Sequence, residues 1–275
     1  MSNKTAQALD RLGQIQIIKT FIDNKESVCP WLYAVGIGIA ELLVIVNPRA
    51  GVLLHMLILA GLLINSAAAY GQPRSKLYVA LILGPLIRIL SLSLPLAQFP
   101  MIYWYAAVSL PLLTAALVAA RLNGYSLADV GLRLGDLRKN AFIHILACLS
   151  GIPLGIAEYF ILHPAPLFES FNLVGFILPA LIFLVCTGFT EEVIFRGIMQ
   201  KAANDFLGPK HSIFLISFMF AVLHITHISF IDVIFVFAIA VYFTMLVNRT
   251  GSILGVTFAH GITNIGLYLI WPFIL

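Results

Sequence analysis

Charge is what this chain has least of: only 10% of its 275 residues are Asp, Glu, Lys or Arg, against 61% hydrophobic. A soluble domain carries about 25% charged residues, and at a mean hydropathy of +1.01 no core could hide the excess. A water-soluble globular protein is therefore excluded. Cysteine is also scarce. Cys29, Cys148 and Cys186 lie in or beside apolar runs, form no C-x-x-C pattern, and read as packing residues that say nothing about redox compartment. A secretory signal is missing too, because the first long apolar run begins only at Pro30. No internal repeat or low-complexity segment is found. The formal net charge of +4 would suggest an acidic partner in a soluble protein. Here its distribution matters more than its sum, and no nucleic acid is expected as a partner.

What is present is a series of apolar runs long enough to cross a bilayer, which takes about 20 helical residues. Nine are expected, near 30–47, 50–70, 77–97, 101–120, 140–162, 171–201, 209–227, 229–247 and 251–274, with turn formers clustered between them. The fold class is all-α: a polytopic transmembrane bundle of about eight to nine spans. Residues 1–28 read as a cytoplasmic lead-in segment, helical and lying on the membrane. Residues 29–120 form a front four-span portion, 121–139 an interfacial linker helix started by Ser126 and Asp129, and 140–275 a catalytic membrane domain. With the N-terminus inside, nearly every Lys and Arg falls on the inner side and only Arg49 outside, as the positive-inside rule requires. An integral multi-pass protein of the plasma or inner membrane, with a cytoplasmic N-terminus, is the expectation.

Charges within the spans are costly and mark function or pairing. Glu41 and Arg88 stand at similar depth and are expected to pair. His55, His144, His163, His211 and His227 lack a matched acidic neighbour in the pattern and read as packing residues. Three places differ. In Thr187-Gly-Phe-Thr-Glu-Glu-Val-Ile-Phe-Arg196, Glu192 and Arg196 are four apart and share a helix face, while Glu191 points about 100° away. Phe220 and His224 are also four apart, as are His260 and Asn264. Counted from Lys201, Lys210 and Arg249, Glu191, His224, His260 and Asn264 lie about 15, 21, 16 and 22 Å deep. One polar layer inside the membrane can hold all four.

A carboxylate and a histidine flanking one water can deprotonate it, while a second histidine and an amide steady the oxygen that becomes negative when a carbonyl is attacked. No Ser or Thr is singled out as a nucleophile by its spacing. A zinc ion held by Glu191, His224 and His260 would use the same residues differently. There is no H-E-x-x-H helix, so catalysis without a cofactor is preferred over zinc.

These three elements, in this order on successive apolar helices, resemble the CAAX protease and bacteriocin-processing family, which includes the type II CAAX prenyl endopeptidases and the Abi proteins. Glu191-Glu192-Val-Ile-Phe-Arg196-Gly is similar to the first motif, Phe220-x-x-x-His224 to the second, and Thr250-Gly-Ser-Ile followed by His260-x-x-x-Asn264 to the last. Val130-Gly-Leu-Arg is similar to a short element that often precedes the domain, so the resemblance covers roughly 125–270. It implies that Glu191 and His224 activate water, that His260 and Asn264 hold the oxyanion, and that Glu192 and Arg196 support the site. It also implies a membrane-anchored protein or peptide substrate, cut near the cytoplasmic face. The alternatives are a non-catalytic immunity or partner-binding protein of the same shape, or a proton-coupled transporter.

Overall fold

The computed structural model describes residues 27–168 and 173–275. The lead-in segment expected over 1–28 therefore lies, but for its last two residues, outside the described residues. Those described contain helices and turns and no strand. Among the described residues eight helices are long and apolar enough to cross a membrane: α1 (Ser27–Val46), α2 (Pro48–Ala68), α3 (Pro73–Ser93), α4 (Met101–Leu122), α5 (Arg138–Leu162), α6 (Gly175–His227), α7 (Phe230–Thr250) and α8 (Leu254–Ile274). The chain is an integral, multi-pass, all-α membrane protein.

The sixth and seventh expected runs are joined in α6, which is 53 residues long. It breaks at Gly208, whose φ of 76° and ψ of 167° suit a residue without a Cβ, and Pro209 follows. Residues on either side of the break meet. Gln200 donates to Ser212 Oγ at 2.9 Å, and the rings of Phe195 and Phe220 pack edge to face at 4.9 Å. The two limbs of α6 thus run antiparallel as a hairpin. Its first limb is the central rod, packed against α4 and α8, while α3 and α7 cover the second limb.

Helix α5 lies along α8 at backbone distance. A Cβ on Gly151 would stand 2.4 Å from the Ala259 carbonyl oxygen, and one on Gly155 would stand 2.8 Å from that of Thr263. Only hydrogen fits at either position, so this small-residue stripe sets the helix spacing. Thr263 Oγ1 donates to Gly151 O across the contact at 3.2 Å.

The expected linker helix does not form. Residues 123–136 are a chain of turns. Ser126 and Asp129 do cap one another: the Ser126 hydroxyl and amide donate to Asp129 Oδ2 at 2.6 and 2.8 Å, and the Asp129 amide donates back at 3.2 Å. Propagation then stops at Gly131 and Gly135, with φ of 72° and 66°. The segment docks instead on the turn before α8, where Ile253 N–H donates to Gly131 O at 3.0 Å and Arg133 Nε to Gly251 O at 2.8 Å.

Glu41 and Arg88 pair as expected, with Arg88 Nε and Nη2 reaching the two carboxylate oxygens at 2.9 and 2.6 Å. His55 is not the isolated packing residue its sequence context suggests. Its Nε2 is 3.1 Å from Glu41 Oε1, because the Asn47-Pro48 turn folds α2 back beside α1. Arg88 Nη2 also donates to Leu223 O at 2.9 Å and Thr226 Oγ1 at 3.0 Å, tying the front helices to the end of α6.

Candidate active site

Two wide turns frame the Glu-Glu pair. Residues Phe183–Phe189 and Val193–Met199 are π-helical, and only Thr190–Glu192 between them is α-helical. Such i→i+5 turns recur at functional sites because they re-aim side chains that a regular helix would place elsewhere. Gly188 here approaches Gly261 and Thr257 of α8 closely enough that a Cβ would stand 3.0 Å from their backbone atoms. The carboxylates are thereby brought to α8.

Glu192 is fully buried and joins two helices. Its Oε1 accepts from Arg196 Nη1 at 3.1 Å, four residues along the same helix, and lies 2.8 Å from His260 Nδ1 on α8. The Arg196 guanidinium is sandwiched further, 4.2 Å from the Phe220 ring centroid and 5.6 Å from that of Phe243. A cation at 3% exposure needs such company. Since a carboxylate only accepts, His260 Nδ1 carries a hydrogen and the ring turns Nε2 towards Glu191, whose Oε2 is 3.9 Å away.

His224 is oriented by its own helix. Its Nδ1 is 2.8 Å from Phe220 O, an acceptor, so Nδ1 donates and the neutral ring leaves Nε2 free as a base. Asn264 is fixed by Thr187, its Nδ2 donating to Oγ1 at 2.9 Å, while Thr187 Oγ1 donates in turn to Phe183 O. Nothing in its spacing marks Thr187 out. Its role emerges only when α6 and α8 are side by side.

The expected residues fall around two adjoining spaces. Glu191 and Thr187 line a cavity of about 280 Å³ that is otherwise largely apolar, with Ile87, Trp104, Val108 and Leu112 among its walls and Arg88 also reaching it. His224, His260 and Asn264 line a second, polar cavity of about 30 Å³ together with Phe220, Thr263 and Glu158. His260 stands between them, touching Glu191 on one side and facing His224 on the other. The imidazole within 4 Å of the Glu191 carboxylate is that of His260.

Two acidic residues escape a reading based on spacing. Asp232 is fully buried at the start of α7, and His227, expected to lack an acidic partner, has its Nδ1 2.9 Å from Asp232 Oδ2. The turn between them, with Ile228 at φ 57°, brings the two together. Glu158 on α5 is 6% exposed and lines the same cavity as His224 and His260. The signal that could have found it is Gly151-x-x-x-Gly155, which announces a helix contact one turn before Glu158.

Among the described residues no three His, Cys, Asp or Glu side chains gather as metal ligands, and Glu191, His224 and His260 are not grouped as such a set.

Residues 173–266 match the family model described as type II CAAX prenyl endopeptidase Rce1-like. No curated protein and no solved structure is significantly similar to the chain. The match begins two residues before α6 and ends just past Asn264, so it contains every residue of the three motifs and leaves α1 to α5 uncovered. Over that stretch, which holds the paired glutamates, both histidines and the asparagine, the chain is similar to the type II CAAX prenyl endopeptidase Rce1-like family.

Proposed function

We propose that the protein is an intramembrane endopeptidase that hydrolyses a peptide bond of a membrane-associated protein or peptide with a glutamate-activated water. The observation that carries this reading is the 3.9 Å between His260 Nε2 and Oε2 of Glu191, which lines a largely apolar cavity. A water bonded to Glu191 there is within reach of a substrate chain lying among Trp104, Val108 and Leu112. Glu191 takes one proton from the water as its oxygen attacks the carbonyl carbon. His260, held by Glu192 and donating from Nε2 in its imidazolium form, and Asn264 steady the oxyanion. His224, with Nε2 free, accepts a proton from the reacting centre and returns it. When the C–N bond breaks, the leaving nitrogen takes a proton from Glu191 or His224 and the acyl fragment departs as the acid. The distribution of basic residues supports a position of this layer near the cytoplasmic face.

The test is cleavage of a quenched-fluorescence peptide ending in a prenylated CAAX sequence, together with a comparison of membrane-protein termini in cells carrying wild type or Glu191→Gln. Cleavage is expected to fall by on the order of 100-fold or more in Glu191→Gln while the protein still inserts, and to survive exhaustive chelation. Unchanged cleavage would remove Glu191 from the mechanism, and activity lost to chelation and restored by zinc would overturn the cofactor-free reading.

A further inference from the structure

Glu158 is the feature that the proposed reaction leaves unexplained. A carboxyl group inside a bilayer span is expensive, and it is tolerated where it pairs or lines a water-filled space. Among the described residues Glu158 makes no hydrogen bond or ion pair, yet it is 6% exposed. It lies outside the segment that matches the family, which starts at residue 173. Its helix is pressed against α8 by Gly151 and Gly155, so the next turn carries the carboxyl group into the space beside Thr263 and Asn264. That space also holds the His224 and His260 side chains.

The cavity is small and polar. At about 30 Å³ it has room for roughly two water molecules, each of which needs ~10–15 Å³ and two to four polar partners. Glu158, His224, His260 and Asn264 supply those partners. His224 has spent Nδ1 on Phe220 O, so its Nε2 edge is the one left to meet a water there.

We propose that Glu158 is a positioning residue for the hydrolysis, holding a water in this cavity against Nε2 of His224 and receiving, through that water, the proton that His224 accepts. In detail, Glu191 takes the first proton of the attacking water, the second leaves the hydroxyl of the tetrahedral adduct for Nε2, and the resulting N–H donates to the cavity water, which donates to the Glu158 carboxylate. It returns along the same bonds to the leaving nitrogen as the C–N bond breaks, so no proton is gained or lost. The charged and titratable groups that bear on Glu158 are Asp232 at the start of α7, His227 at the end of α6, His260 on α8 and Glu191 on α6. This inference rests on the protease reading above.

The experiment uses the full chain in lipid nanodiscs with the same prenylated CAAX peptide as probe, comparing wild type, Glu158→Gln, Glu158→Asp and Glu191→Gln. For Glu158→Gln we expect kcat to fall by roughly 10- to 100-fold, with KM unchanged, an enlarged solvent deuterium isotope effect and an altered pH–rate profile. Glu158→Asp should recover part of kcat. A Glu158→Gln enzyme with wild-type kcat, isotope effect and pH profile would overturn the inference while Glu191→Gln remains inactive. Loss through KM alone, or equal loss in the Asp and Gln variants with an unchanged isotope effect, would reduce Glu158 to a structural residue and overturn it as well. If the Gln variant does not fold, the isotope effect of Glu158→Asp decides: unchanged, it counts against the proposal. No cleavage by wild type, or cleavage indifferent to Glu191→Gln, would instead sink the protease reading and this inference with it.

Discussion

Glu192 accepts from Arg196 and faces His260 Nδ1 through one oxygen, at 3.1 and 2.8 Å, so a single buried carboxylate settles both a cation and an imidazole ring of the candidate site. Replacing it should therefore cost stability and activity together. For Glu192→Ala, which strands the guanidinium of Arg196, a loss of about 3–5 kcal/mol is expected. Glu192→Gln, still able to accept from both, should lose less. Chemical denaturation of the purified variants in detergent measures the difference, and equal stability of Ala and wild type would show that Arg196 has another partner.

Arg88 is the second place where one side chain joins separate parts of the bundle. Its contacts to Glu41, Leu223 O and Thr226 Oγ1 link α1 and α3 to the turn just beyond His224. Arg88→Met should destabilise by about 3–5 kcal/mol because Glu41 is left buried without its cation. The double replacement Arg88→Met with Glu41→Leu should recover much of that. Thermal unfolding of the two variants checks the ordering, and a double variant no better than the single would contradict it.

Outside the spans, pH acts through the turn after α4. The Ser126 hydroxyl and amide hold the Asp129 carboxyl below its ordinary value of 3.8. A carboxyl depressed in the folded state contributes stability that is present above the unfolded pKa and is lost as pH falls through the folded one. Ser126→Ala removes the larger cause, so the Asp129 titration should move up towards 3.8 and the acid limb should begin at higher pH. Carboxyl-carbon NMR of labelled protein reads this directly; an unmoved titration would refute it.

Much of this arrangement was legible because it is local. Runs of about 20 apolar residues mark helices whatever their neighbours do, and an i,i+4 spacing fixes which side chains share a face. Glu192 with Arg196 and Phe220 with His224 follow from that rule alone, and Gly208-Pro209 marks the α6 hairpin. Contacts between helices were not legible. His55 meets Glu41 only because two helices fold back on each other, and Thr187 meets Asn264 across the α6 and α8 contact. The capping pair at Ser126 and Asp129 was recognised, but a start signal does not make a helix when Gly131 and Gly135 sit left-handed just beyond it.

The π-helical turns on either side of Thr190–Glu192 carry a consequence for how this chain can change in length. Each wide turn accommodates one residue more than a regular turn, so losing one residue from 183–189 would restore a regular turn and leave the helix on either side nearly in phase. The wide turns are thus places where the first limb can shed a residue while the flanking segments keep their facing towards α8, and the bend at Gly208, where an added Cβ would meet no atom within 4 Å, is where the hairpin can lengthen or shorten.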